Sequence, residues 1–482
     1  MRSLIPAAPL SVDAPVDMGT LVRLDGGAKL LDRDLIAGGS PWRLLRLPGG
    51  SRRVVERWVN GDEVRAGEER FARTLVQQGL LHPLYEHELD IDDVDVVIPV
   101  RDDVASLHSL LSQLRGLHVT VVDDGSVHAG TLAECAHRFN VTLVRVDESR
   151  GPGAARNEGV ASTQRELLWF LDVDVTLDNA TDVLSRLAAQ FADPLLGAIA
   201  PRVRGGAGSS VRDHFENRFG PLDMGPASGL VVPGGAVSYV PSACLLVRRS
   251  AFGDGFDETM RVGEDVDLVW RLHDQGWLVR YSADVVVEHR ARGTWRNWWD
   301  QRVSYGASTA ELARRHGTRL APLRCDVWTG LAWASVLASR PTIGARIVSV
   351  ARHSLRNRLK DSTDDAEHVA NEVVTKGMVR AGGPLARGIV RTYGPVVLLV
   401  ALHPKLRRRA LALFVVGTAW RWRRTRLRAS DVPLALADDL AYSAGVFRGA
   451  WRARSLRSLT PNITRSSLSV RALLGLKLAD EA

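Results

Sequence analysis

The sequence predicts an α/β protein built on a Rossmann-like, mostly parallel sheet, preceded by a small winged-helix-like α+β module and followed by a helical region. Three observations carry this. Residues 94–100 (VDVVIPV), 119–122, 142–146 and 166–171 are apolar runs of the kind found in strands buried on both faces. Helical patterns over 104–116, 130–139 and 153–162 separate them, at the spacing of successive βαβ units. Such sheets bind ligands beyond the carboxyl ends of their strands, and acidic clusters fall there.

Taken in order, residues 1–16 read as a flexible N-terminus. Pro6, Pro9 and Asp13 interrupt any apolar run, so no secretory signal is expected. Residues 17–84 form the small module. Strands over 20–24 and 28–31 flank Asp25-Gly26-Gly27 as a hairpin. Helical patterns follow over 41–47, 51–59 and 68–79, the last with Phe71, Leu75 and Leu80 at helical spacing and Gly79 as C-cap. An acidic linker, 85–93, leads to the sheet domain, 94–318. The remainder, 319–482, is rich in Ala, Leu and Arg and reads as helical, with breaks at Gly382-Gly383-Pro384 and Gly394-Pro395.

A length of 482 residues fits two or three domains. The net charge of +8 invites a polyanionic partner. Its placement is uneven, with Arg407, Arg408, Arg409, Arg421, Arg423, Arg424, Arg426 and Arg428 in one stretch. That asymmetry argues against a protein generally coated by nucleic acid. Cys135, Cys244 and Cys325 stand far apart and read as reduced thiols of a cytoplasmic protein. A spanning helix needs about 20 apolar residues. The runs 396–402 and 410–420 fall short, so a peripheral membrane contact, not a span, is the expectation for the C-terminal region.

Five constellations carry chemistry. Asp123-Asp124-Gly125 ends a strand, where a carboxylate can accept hydrogen bonds from a base or ribose; a turn capping the next helix is the plain alternative. Residues 149–159 (SRGPGAARNEG) open a helix whose N-terminus and Arg156 suit a diphosphate. In Leu171-Asp172-Val173-Asp174 the alternation of an extended chain sends both carboxylates to one side, where they can hold Mg²⁺ or Mn²⁺. Glu264-Asp265 begins a helix, where a carboxylate can serve as general base or simply favour the helix dipole. An apolar strand ends in His289, and beyond it Trp298, Trp299, Gln301 and Arg302 offer stacking faces and a phosphate contact.

As an ordered set, VDVVIPVRD, VVDDGS, GPGAARNEG, FLDVDV, PSACLLVRRSAF, GEDVDLVWRL and VEHR resemble the inverting GT-A glycosyltransferases of family 2. The resemblance implies donor contacts from Pro99, Asp123, Asp124, Arg156, Asp172, Gln301 and Arg302. It implies a divalent metal, Mg²⁺ or Mn²⁺, on Asp172, Asp174 and His289, and a catalytic pair Glu264 and Asp265 with Asp265 as base. Trp298, Trp299 and Asp267 would meet the acceptor. Gln301-Arg302 looks like a shortened QxxRW element without its Trp. Over its full length the chain is similar to the mycofactocin-system glycosyltransferases, with a PqqD-like, peptide-binding module at 17–84 and the closing run from Asp438 to Gly449. That implies transfer of glucose, β-linked, from UDP-glucose to a peptide-derived redox-cofactor precursor. The competing readings are a family 2 enzyme acting on lipid-linked or cell-wall glycan at the membrane face, and a non-catalytic basic nucleic-acid-binding or scaffold protein.

Overall fold

A computed structural model describes residues 14–464, apart from 32–33, 86–92, 207, 291–292, 361–362 and 426–427. The expected N-terminus and acidic linker lie largely outside the described residues. The chain forms two compact units: residues up to 28, 38–42 and 55–291 make the first, and 29–37, 43–54 and those from 292 onward make the second.

The N-terminal segment contributes β1 (Leu21–Leu24), β2 (Lys29–Leu30), β3 (Leu35–Gly38), β4 (Arg43–Arg46), α1 (Ser51–Val59), α2 (Glu69–Gln77) and β5 (Leu81–Leu84). Asp25-Gly26-Gly27 is a turn, with Gly27 N–H donating to Asp25 Oδ1 at 2.9 Å. It does not make a hairpin, because β1 pairs with β5 and β2 pairs with β3. The helix expected at 41–47 is the strand β4. Between Pro41 and Pro48 there is room for fewer than two helical turns, and its Leu44 is needed in an apolar cluster of the second unit. The module expected at 17–84 is therefore divided. Residues 29–37 and 43–54 group with C-terminal helices, and the rest group with the sheet domain.

In the first unit the chain continues through β6 (Val94–Val100), α3 (Val104–Gln113), β7 (His118–Asp124), α4 (Ala129–Arg138), β8 (Thr142–Val146), α5 (Pro152–Ala161), β9 (Leu167–Leu171) and β10 (Val175–Thr176). Then follow α6 (Ala180–Ala188), β11 (Leu196–Gly205), α7 (Val211–Phe219), β12 (Gly229–Leu230), β13 (Cys244–Arg248), α8 (Arg249–Phe252), α9 (Glu264–Asp274) and β14 (Leu278–His289). These build a nine-stranded sheet of order β10-β14-β11-β13-β9-β6-β7-β8, with β12 on β14. Strands β9, β6, β7 and β8 are parallel, as their apolar runs predict. Strand β13 runs antiparallel between β9 and β11, so the other half of the sheet is mixed.

Helix α5 lies close against this sheet. A Cβ on Gly159 would fall 2.4 Å from Val97 Cγ1, so only glycine permits that approach. Helix α2 is tied to the same unit by a buried triad: Arg73 Nη2 is 2.9 Å from Asp193 Oδ1, and Arg280 Nη2 is 2.9 Å from Asp193 Oδ2. One carboxylate between two guanidiniums satisfies charges that would otherwise be costly to bury.

The second unit holds α10 (Trp295–His316), β15 (Arg324–Asp326), α11 (Val327–Leu337), α12 (Pro341–Leu359), α13 (Ala366–Ala370), α14 (Gly377–Leu402), α15 (Arg407–Thr425), α16 (Val432–Arg452) and β16 (Asn462–Thr464). Leu35, Ala37 and Leu44 of the N-terminal strands pack with Leu355, Leu359, Val369, Val374 and Met378 in one cluster. The region is helical as expected, with one parallel pair, β15 and β16, in addition. Gly382-Gly383-Pro384 does not break α14. Those glycines admit tryptophan rings: a Cβ on Gly382 would meet Trp333, and one on Gly383 would meet Trp420, each at 2.2 Å. The second expected break is a kink, with Tyr393 at φ −109°, ψ 22° before Gly394-Pro395. Among the described residues one helical stretch, Ala366–Leu402, which runs from α13 through the π-helical Asn371–Lys376 into α14, is long and apolar enough to cross a membrane by length and composition. Counting only uninterrupted apolar runs missed it, because Arg387 and Arg391 divide the run without ending the helix.

Candidate active site

The site is assembled from the end of β9, the start of α5, the start of α9 and the end of β14. Strand β9 stops at Leu171, and Asp172, Val173 and Asp174 form a turn closed by Val175 N–H donating to Asp172 O at 3.1 Å. The chain then pairs as β10 with β14, with Val175 opposite His289. That register carries His289 to the acidic turn. Its Nε2 lies 3.0 Å from Asp174 Oδ1 and 3.9 Å from Asp172 Oδ2. Among the described residues Asp172, Asp174 and His289 form one group whose ligand atoms all lie within 4.8 Å of one another. Two carboxylate oxygens and an imidazole nitrogen fit a divalent cation that takes its remaining ligands from water or phosphate oxygens.

Arg156 links this group to α9. It is 3 % exposed, with Nη2 2.6 Å from Asp172 Oδ1 and Nη1 3.1 Å from Glu264 Oε1. Its guanidinium lies 5.3 Å from the Phe256 ring centroid, a cation–π contact in a desolvated place. Burial pushes the Asp172 carboxyl up, but the charge and hydrogen bond of Arg156 and the charge of His289 outweigh it and hold Asp172 well below the usual range. Burial works against the His289 cation, but the Asp174 carboxylate in contact with it and the charges of Asp174 and Asp172 raise it to about 10.

Helix α9 starts after Gly263, whose φ of +87° favours glycine, and that turn sets Glu264 and Asp265 at the helix mouth. The two neighbours have different fates. Glu264 is buried against Arg156. Asp265 accepts from Val266 N–H at 2.8 Å and from Ser242 N–H at 3.4 Å, and has no cation in direct contact among the described residues. Burial and the Glu264 charge raise the Asp265 carboxyl to about 7, against the smaller pull of those N–H groups and Arg156. The segment before β13 joins the parts. Ala243 O accepts Asp172 N–H at 2.9 Å while Ser242, next to it, reaches Asp265.

Other expected residues are placed as follows. Asp124 is buried and accepts from Ser149 Oγ at 2.8 Å, Arg150 N–H at 2.8 Å and Gly151 N–H at 3.0 Å. It thereby fixes the loop that leads into α5 and Arg156. Asp123 accepts from Ser126 N–H at 2.9 Å and from Arg145, so its carboxylate shapes the turn after β7. Pro99 lies in β6 opposite Val122. Asp267 is buried and accepts from Arg271 Nε at 2.8 Å, one helical turn on. Trp298, Trp299, Gln301 and Arg302 belong to α10 of the second unit. There Arg302 is buried, 3.2 Å from Asp438 Oδ1, with its guanidinium 4.8 Å from the Trp298 ring. Gln301 donates to the Tyr305 hydroxyl at 3.0 Å.

Ser242, Ala243 and Phe256 are site-building residues to which the sequence reading gave no role. Ser242 and Ala243 act through backbone groups, which leave no residue-type signature, and Phe256 through a ring that looks like any core aromatic. The closing run from Asp438 also gains a physical account. Asp438 and Asp439 receive Arg302, Arg387, Arg391 and Arg421. Gly445 lets α16 lie against α10, since a Cβ there would fall 2.1 Å from Val303 O.

The family model "Glycosyl transferase family 2" matches residues 95–256. A "Pre-mycofactocin glycosyltransferase" of Mycobacterium tuberculosis is 37% identical over 471 residues, covering 92% of this chain and 98% of the relative. A "Poly-beta-1,6-N-acetyl-D-glucosamine synthase" of Staphylococcus aureus is 23% identical over 239 residues, covering 47% of this chain and 57% of the relative. Among solved structures, a mannosyltransferase from Pyrobaculum calidifontis in complex with GDP-Man and Mn2+ aligns with a TM-score of 0.41 at 16% identity, over 77% of this chain and 91% of that one.

Proposed function

The chain belongs to the family 2 glycosyltransferases, in the group of the pre-mycofactocin glycosyltransferases, and from that premise we propose that it transfers glucose from UDP-glucose to a peptide-derived redox-cofactor precursor. The product is a β-linked oligosaccharide. The observation that carries the chemistry is the pairing of two unlike carboxylates at the mouth of α9, with Glu264 neutralised by Arg156 and the half-buried Asp265 left basic near the Asp172, Asp174 and His289 group.

In this reading Asp172, Asp174 and His289 would hold a divalent cation, which would supply positive charge to offset that on the diphosphate. Asp265 takes the proton of an acceptor hydroxyl. The acceptor oxygen then forms a bond to the anomeric carbon as the bond from that carbon to the diphosphate oxygen breaks, and the electron pair leaves with the nucleoside diphosphate. One displacement inverts the centre, so an α-linked donor gives a β-glycoside. Glu264 acts as a positioning residue, holding Arg156 against Asp172. Asp124 positions the loop 149–151 beside the donor. A carboxylate near pKa 7 is well matched to proton removal at neutral pH.

The test is a donor and acceptor screen read by mass spectrometry. A panel of nucleotide sugars is mixed with the protein, Mg²⁺ or Mn²⁺ and the cofactor precursor. Addition of hexose units to the precursor from UDP-glucose supports the reading. Addition only to a lipid-linked or polymeric glycan would replace it.

A further inference from the structure

The C-terminal helices present a surface made of residues outside the site described above. Helices α14 and α15 form a hairpin joined by a short turn at 403–406, where Arg407 N–H donates to His403 O at 2.9 Å. A Cβ on Gly417 would meet the Ala386 backbone at 3.3 Å, which shows how closely the two helices pack. Toward the turn both keep large apolar side chains in solvent. On α14, Val396, Leu399 and Leu402 are 44, 67 and 72% exposed, and they recur every third residue. On α15, Leu411, Val415 and Trp422 are 52, 65 and 45% exposed, at spacings that keep one helix face. Lys405, Arg407, Arg408 and Arg409 are exposed between these two sets. No Asp or Glu occurs from Val373 to Ser430, so nothing acidic in the segment offsets them.

We propose that the turn end of this hairpin is a peripheral docking site for an anionic lipid bilayer. Its apolar side chains enter the acyl boundary while Lys405 and the three arginines lie at anionic headgroups. An acidic protein would match the cations but would leave exposed leucines and valines unsatisfied. A bilayer interface matches both. The same helix does not cross the membrane, although Ala366–Leu402 has the length and composition to do so. Arg387 and Arg391 stand in its middle, paired with Asp438 and Asp439 of α16. A crossing would carry that ionic cluster into hydrocarbon. Only the last turns of α14 and the first turns of α15 are free to enter.

The experiment is flotation of the full-length protein with vesicles of phosphatidylcholine, alone or with phosphatidylglycerol added. Wild type is expected to float with the anionic vesicles and not with the neutral ones, and to be released by salt. The triple variant Arg407→Glu, Arg408→Glu, Arg409→Glu should lose at least about tenfold of that binding. The variant Leu399→Asp, Leu402→Asp should lose it as well. Both should keep wild-type transfer to a soluble acceptor, which also reports that they fold. Absence of flotation, equal binding to neutral vesicles, or retention in membranes after alkaline carbonate overturns the proposal. So does lipid-independent self-association that the leucine variant abolishes, since a second copy would then be the occupant. The salt titration needs no variant and stands by itself.

Discussion

Arg156 Nη2 lies 2.6 Å from Asp172 Oδ1, and its other terminal nitrogen reaches Glu264, so a single buried side chain couples the acidic turn after β9 to the first turn of α9. Removing one partner of a buried ion pair costs about 3–5 kcal/mol, because it strands the other charges. Arg156→Ala is therefore expected to lower stability by roughly that amount, measured by urea denaturation. Arg156→Lys, which keeps a charge but lacks the fork that reaches both carboxylates, is expected to fold while losing most of the transfer rate.

The ligand group makes a second prediction. His289→Ala and Asp174→Ala each remove one of three metal-capable groups and should weaken cation-dependent donor binding about 10- to 100-fold, as loss of supporting ligand interactions does elsewhere. Calorimetric titration of UDP-glucose with and without Mn²⁺ reads this directly. Unchanged binding in both variants would remove the group from its role.

The raised Asp265 carboxyl has opposite consequences for rate and stability. A base that titrates near 7 gives kcat/KM an acid limb near that pH, with activity rising as the proton leaves. For stability, the folded group binds a proton up to about pH 7 whereas an unfolded aspartate releases it near 3.9. The unfolded state thus binds fewer protons between those values, and the contribution of this residue to stability falls as pH rises through that window. Asp265→Asn removes the cost. It should melt at a higher temperature than wild type at pH 8, with the difference closing by about pH 4.

Much of this was legible in the sequence. Strands such as 94–100 are apolar on both faces because helices cover both sides, and that leaves an unmistakable run. Asp172, Asp174 and Asp265 stood out only through the order and spacing of the whole motif set, because a single carboxylate at a strand or helix end serves equally well as a cap or a dipole partner. The partner of Arg156 was not, because Glu264 is 108 residues away and pairs through the fold. Strand β4 was misread because its reason to be a strand, the cluster around Leu44, is supplied by helices from the far end of the chain. Gly382 and Gly383 were read as breaks because a glycine that admits a neighbouring ring looks the same in sequence as one that ends a helix.

Gly159 offers a test of the packing that holds α5 in place. Gly159→Ala sets a methyl against Val97 and Val122, and overpacking of this kind costs about 1–3 kcal/mol. Because α5 carries Arg156, the same change should reduce donor affinity. Thermal denaturation and donor titration on one sample check both.

The central claim is that Asp265 is the base of a transfer reaction whose donor is held by other residues. The most direct test is Asp265→Asn, assayed for hexose transfer and, in parallel, for UDP-glucose binding with a divalent cation. Loss of a general base typically costs about 10²- to 10⁴-fold in rate, so the account predicts transfer reduced by that range with donor binding close to wild type. Transfer near the wild-type rate in this variant would contradict it.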